Sequence, residues 1–133
     1  MIHNINICHR FEFVPMHILG YIHAINSVAF SSNAAWIAIV CYGYARIFDI
    51  RTDAKITTLI EDDDLIDRNV LTICFDPDAK WLEMRTTDSI IRIWNITTNT
   101  ILKHVLGHNS SISFMNCSSK YLASTSYDDM VKL

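Results

Sequence analysis

Apolar residues along this chain mostly alternate with polar ones at period two, in short runs such as Val28/Phe30, Ile37/Ile39, Ile91/Ile93 and Val131/Leu133. Successive side chains of a strand point to opposite faces, so this alternation predicts half-buried β-strands. The runs are rich in Ile, Val, Thr, Phe and Tyr, which suit a pleated surface. Turn clusters bound them: Ser31-Ser32-Asn33, Asp76-Pro77-Asp78, Thr97-Thr98-Asn99 and Ser118-Ser119. Their spacing is that of antiparallel hairpins. No segment sustains helical periodicity, and the expected fold class is all-β.

The runs also repeat. Phe30 and Phe75 lie 45 positions apart, as do Trp36 and Trp81; Phe48 and Trp94 lie 46 apart, Trp81 and Tyr121 40 apart. A first unit runs from Ile25 through Phe30, a turn, Trp36-Ile37 and Ile47-Phe48-Asp49. A second runs from Val70 through Phe75, a turn, Trp81-Leu82, Asp88 and Ile91-Arg92-Ile93-Trp94-Asn95. A third holds Gly107-His108, Ile112, a turn, Tyr121 to Ser126, Asp128 and Val131-Lys132-Leu133. A period of 40–45 residues with four short strands is that of a β-propeller blade. One four-stranded sheet is too small to bury both faces, so blades must stack. Trp36, Phe48, Trp81, Trp94 and Tyr121 are the large side chains expected to fill the space between them.

These residues resemble WD40 repeats. Gly107-His108 matches the glycine–histidine dipeptide. Ile93-Trp94-Asn95 and Ile47-Phe48-Asp49 stand where the tryptophan–aspartate pair stands. Val70–Ile96 and Ser27–Lys55, with the acidic connector Glu61–Asp64, are similar to the C-terminal propeller of fungal Tup/Groucho-type transcriptional corepressors. The resemblance implies a partial WD40 β-propeller over residues 15–133, of two blades plus most of a third in four-stranded antiparallel sheets, after an N-terminal segment 1–14. It further implies a nuclear protein-interaction platform whose partners are sequence-specific DNA-binding repressors. A WD40 scaffold of another intracellular complex, nuclear or cytoplasmic, is the alternative. So is a decayed propeller without a function of its own.

In WD40 blades a His, an Asp, a Ser or Thr and the Trp form a buried hydrogen-bond network. The resemblance carries this onto His108 and Asp128 with Ser124 or Ser126, the matching Trp position falling just past Leu133. In the second blade it leaves Asp88 and Trp94, with Ile66 in the His register. In the first, Tyr21 and Tyr42 take the His and Asp registers. Top-face loop positions, where a partner is expected to dock, are Tyr42, Arg68, Asn69, Thr87 and Tyr127. The chain is thus expected to be a fragment or decayed copy of a longer propeller protein.

Composition narrows the function classes. Half of the 133 residues are hydrophobic and 19% are charged, with mean hydropathy +0.20. A disordered chain would be poorer in apolar residues. Eleven Lys/Arg against fourteen Asp/Glu give a net charge of −3, which excludes a strongly basic nucleic-acid binder. No stretch approaches the roughly 20 apolar residues that span a bilayer. No signal peptide is evident at Met1–Cys8, so a soluble, intracellular, globular chain is expected. Partners are therefore expected to be proteins, without direct nucleic-acid or membrane contact and without a small-molecule substrate.

Candidate chemistry is sparse. His108, Asp128 and Ser126 include the residue types of a nucleophile–base–acid set, but no G-x-S-x-G elbow is present and the same residues fill structural slots. No catalytic residue, cofactor or metal site is expected. His3, His9, His17, His23 and His104 lack ligand spacing, and Glu61–Asp64 with Asp67 lacks the turn glycine of a calcium loop. Cys8, Cys41, Cys74 and Cys117 form no C-x-x-C pair, and Cys74 and Cys117 sit in apolar runs, so reduced thiols are expected. Ala35 and Ala79 occupy usual turn-glycine positions, and Arg85 stands where WD40 repeats have a small residue.

Overall fold

The computed structural model describes residues 2–9, 12–19, 25–41, 44–60, 69–118 and 121–133. Their strands are β1 (Ile2–His9), β2 (Glu12–Leu19), β3 (Ser27–Phe30), β4 (Trp36–Cys41), β5 (Tyr44–Asp49), β6 (Lys55–Ile60), β7 (Val70–Phe75), β8 (Trp81–Thr86), β9 (Ile90–Asn95), β10 (Thr100–Leu106), β11 (Ile112–Cys117), β12 (Leu122–Ser126) and β13 (Val131–Lys132). All pairings are antiparallel between chain neighbours, giving a β1–β2 hairpin and sheets β3–β6, β7–β10 and β11–β13. The fold is all-β, a partial propeller of two four-stranded blades and one three-stranded blade. The boundary expected after residue 14 falls inside β2, where Val14 pairs with Ile7.

The three sheets stack through their innermost strands, β3 against β7 and β7 against β11. Between the first two sheets lies the main core: Ala38, Val40, Ile47 and Leu59 meet Ile73, Phe75, Leu82, Met84 and Trp94. Each fully buried aliphatic side chain there contributes about 1.5–3 kcal/mol. Asn26 reinforces this seam by donating its amide to the Val70 carbonyl at 2.9 Å. The seam between the second and third sheets is thinner, formed by Ile91, Ile112 and Met115 with Cys74, Val105 and Leu122.

The first hairpin turns of sheets one and two are built alike. Ala34 and Ala79 both take positive φ, 53° and 54°, where glycine is the usual residue. The first-blade position is therefore Ala34, one residue earlier than expected. Ser31 and Asp76 stabilise these turns by accepting the Trp36 and Trp81 N–H groups, at 2.9 and 2.6 Å.

Two further expectations are corrected. Trp81 is 45% exposed and Tyr121 64% exposed, so neither fills the interior as Phe48 and Trp94 do. Both border a wedge of about 400 Å³ beside the thin seam, where apolar packing is incomplete. Cys74 and Cys117 are not separate thiols: their sulfurs are joined at 2.32 Å. Cys117 stands where the second blade has Phe75, and its smaller side chain leaves room for the Cys74 sulfur.

Candidate functional site

The third blade brings His108, Ser124 and Asp128 together. His108 sits before β11, Ser124 on β12 and Asp128 in the β12–β13 turn. His108 Nδ1 lies 3.0 Å from Asp128 Oδ2, and its Nε2 lies 2.9 Å from Ser124 Oγ. A carboxylate only accepts, so Nδ1 donates to Asp128 and, in the neutral ring, Nε2 accepts the serine proton. Asp128 also accepts the Asn109 and Met130 N–H groups at 2.9 and 3.1 Å. Burial alone raises the Asp128 pKa, but the hydrogen bonds from Asn109, His108 and Met130 outweigh it and hold the group below its ordinary value.

Ser126 does a different job. Its hydroxyl faces the Ser110 and Ser111 carbonyls at 3.0 and 2.9 Å and accepts the Asp128 N–H at 3.2 Å. It ties the turn to the loop before β11 and makes no hydrogen bond to His108 among the described residues. Ser124, the serine that does meet His108, is 5% exposed on an interior strand. The order Ser–His–Asp is that of a nucleophile relay, yet each member here joins a different segment of one blade.

The second blade solves the same problem with Arg92, which the sequence reading passed over. Among the described residues Trp94 Nε1 is buried without a hydrogen-bond partner, so it shares no hydrogen bond with Asp88. Arg92 Nη2 and Nη1 instead hold Asp88 at 2.7 and 3.1 Å, and Nη1 also reaches Thr86 Oγ1 at 2.5 Å. Burial raises the Asp88 pKa, but hydrogen bonds from Arg92 and Thr86 and the Arg92 charge reverse this and hold it at about 2. A cation recurs at this place on the third strand of every blade: Arg46, Arg92 and Lys132. That repeat was the available signal. Arg46 lies over the Tyr44 ring, 5.1 Å from its centroid.

The thin seam carries unusual charge. Glu83 on β8 is 7% exposed, and burial, with the Asp76 charge adding, pushes its carboxyl up to about 7. Arg85, two residues on, is also buried, with Nε and Nη1 lacking hydrogen-bond partners among the described residues. Burial lowers its guanidinium pKa.

At one end of the sheets, the Thr87 N–H bonds the Asn69 carbonyl at 3.0 Å and the Tyr127 N–H bonds that of Ser111 at 3.1 Å. Asn69 is half-buried, Thr87 exposed and Tyr127 75% exposed. Tyr42, Arg68, Tyr21, His23, Ile66, Asp67 and the run Glu61–Asp64 lie outside the described residues, as do the side chains of Cys8, Cys41, His3, His9 and His17. His104 is exposed on β10. No described helix is long and apolar enough to cross a membrane.

Stacked four-stranded meanders with inward first strands define the class, an antiparallel propeller in part. Among solved structures the chain is similar to that of U3-55K, with TM-score 0.72 and 18% identity over 84% of this chain and 36% of that one. Residues 99–133 match the WD domain, G-beta repeat. The chain therefore carries a WD40 repeat in the blade that contains His108. Over 99 residues it is 32% identical to transcriptional repressor rco-1 of Neurospora crassa, covering 73% of this chain and 16% of that protein. Small ribosomal subunit protein RACK1 of Schizosaccharomyces pombe is 30% identical over 78 residues, 55% of this chain and 25% of that one. General transcriptional corepressor tupA of Dictyostelium discoideum is 26% identical over 98 residues, 73% and 17% respectively. The chain thus spans a quarter or less of the length of these curated relatives.

Proposed function

We propose that this chain is a protein-interaction platform of a nuclear transcriptional corepressor, without catalytic activity, which docks DNA-bound repressors on the loop face of its blades. The observation that carries the reading is the pair of relatives named as a transcriptional repressor and a transcriptional corepressor, each matched over 73% of this chain. The docking face is formed by Asn69, Thr87 and Tyr127, with Tyr42 and Arg68 included by their place in the repeat. An aromatic ring as exposed as Tyr127 is the kind of anchor that protein interfaces use. The reading is tested by two-hybrid pairing of the chain with a panel of sequence-specific DNA-binding repressors. Pairing that is lost in Thr87→Glu and Tyr127→Ala, with circular dichroism unchanged, supports it. Absence of any such pairing sinks it.

The match to a small ribosomal subunit protein favours a second reading, a scaffold subunit of another intracellular complex. Co-sedimentation of the chain with small ribosomal subunits, insensitive to the same two variants, would replace the first reading by this one.

A further inference from the structure

The thin seam between the second and third blades gathers three metal-type donors from distant parts of the chain. Cys74 on β7 pairs in register with Glu83 on β8, and Cys117 ends β11 beside them. Their donor atoms all lie within 4.8 Å of one another. Cys74 Sγ is 3.6 Å from Glu83 Oε2, and the Cα atoms of the two cysteines are 6.5 Å apart. The cysteines are 43 positions apart in sequence, so no short ligand motif announces them.

Glu83 is the observation that points to a ligand. Its carboxyl is buried, and the group it meets among the described residues is the Cys74 sulfur at 3.6 Å, which carries no positive charge. Arg85, although nearby on the same strand, leaves Nε and Nη1 without hydrogen-bond partners among the described residues instead of meeting it. A buried carboxylate without a counter-charge is costly. A cation held between Glu83 and two thiolates would supply that charge.

We propose that the dithiol form of this seam binds one thiophilic divalent cation of the zinc class, with Cys74 Sγ, Cys117 Sγ and a Glu83 carboxylate oxygen as ligands. Thiolate donors select zinc over calcium or magnesium, which prefer all-oxygen sites. Zn–S bonds of about 2.3 Å at tetrahedral angles place the two sulfurs about 3.8 Å apart. Reaching that spacing requires the bonded pair to open. A dithiol reductant supplies two electrons and two protons, the S–S bond breaks, and two thiols form. Cation binding then releases both thiol protons. The adjoining wedge of about 400 Å³, lined by Glu83, Trp81, Ile93 and Leu122, admits a water to the fourth position.

Cobalt(II) is the probe, because thiolate ligation gives it an intense near-ultraviolet charge-transfer band. The whole 133-residue chain is reduced, freed of reductant under nitrogen and titrated with cobalt(II), then with zinc. One equivalent of cobalt is expected to develop the band, and one equivalent of zinc to abolish it. The unreduced chain is expected to show none, a comparison that needs no variant. Cys8→Ser/Cys41→Ser is expected to keep the band and Cys117→Ser to lose it. Glu83→Gln is expected to weaken zinc binding at least about tenfold. No band in the reduced wild type overturns the proposal, and so does a band that disappears in Cys8→Ser/Cys41→Ser. If Cys117→Ser does not fold, the reduced and unreduced wild type together with Glu83→Gln decide.

Discussion

Arg92 grips Asp88 with both ends of its guanidinium, at 2.7 and 3.1 Å, in the second blade where His108 meets Asp128 in the third. The two aspartates do the same backbone work: Asp88 accepts the Ile90 N–H at 3.2 Å and Asp128 the Met130 N–H at 3.1 Å. What differs is where the opposing donor comes from. In the third blade it comes from the loop before the first strand; in the second it comes from the third strand itself. The repeat thus keeps a turn-holding carboxylate in both blades while changing the side chain that donates to it.

The Asp88–Arg92 pair makes the second blade acid-sensitive. Asp88 titrates at about 2 in the fold against an ordinary 3.8. As pH falls, the unfolded chain takes up the proton first. The stabilisation is therefore complete above about pH 4 and is lost as pH falls towards 2. Because Asp88 keeps a solvent-facing edge, it amounts to about 1–2 kcal/mol. Urea unfolding at pH 7, 4 and 2 is expected to show this loss in the wild type and a flatter profile in Asp88→Asn. Equal acid sensitivity in both would contradict it.

In the third blade, the two serines are expected to separate by their coupling to His108. Ser124→Ala removes one hydrogen bond and costs about 1 kcal/mol, while His108→Ala strips partners from Ser124 and Asp128 and costs about 2–3 kcal/mol. A double-mutant cycle of His108 with Ser124 should give a coupling of about 1 kcal/mol. The same cycle with Ser126 should stay within about 0.3–0.5 kcal/mol, because Ser126 bonds the backbone of Ser110 and Ser111 instead. Equal couplings would mean that both serines share the histidine.

Ala34→Gly is expected to stabilise the protein. Ala34 is exposed at φ 53°, a conformation that costs an L-residue about 1–2 kcal/mol. Glycine removes that strain but adds freedom to the unfolded chain, leaving a net gain of about 0.5–1 kcal/mol. Ala79→Gly should gain less, since its methyl group packs in the main core. Ala35→Gly is the control and should give no gain. Thermal melts of the three variants would order them.

Much of this architecture was legible because it recurs. The spacing of Phe30 to Phe75 and of Trp36 to Trp81 places equivalent strands, and the observed turns at Ala34 and Ala79 keep the same 45-residue offset. Interactions across strands were less legible. The role of Arg92 depends on its register opposite Met84, which puts it on the face of Thr86. The Cys74–Cys117 contact depends on two inner strands lying side by side. Trp81 and Tyr121 show the complementary limit: hydrophobicity gave their tendency to be buried, but only the packing of neighbouring blades decides whether anything covers them.

Arg85 is the position where the chain departs most plainly from a settled interior. A guanidinium buried with two nitrogens unpartnered among the described residues loses hydration without recovering it in hydrogen bonds. Replacing a poorly paired buried charge by an apolar side chain of similar length is often stabilising. Arg85→Met is therefore expected to raise stability by about 1–2 kcal/mol and to leave the fold unchanged. Arg85→Lys should give no such gain, since the charge remains in the seam. Urea midpoints at neutral pH distinguish the two. A loss of stability in Arg85→Met comparable to that of a core truncation would mean that the guanidinium is satisfied in solution, and that the seam between the second and third blades is held by charge rather than by its few apolar contacts.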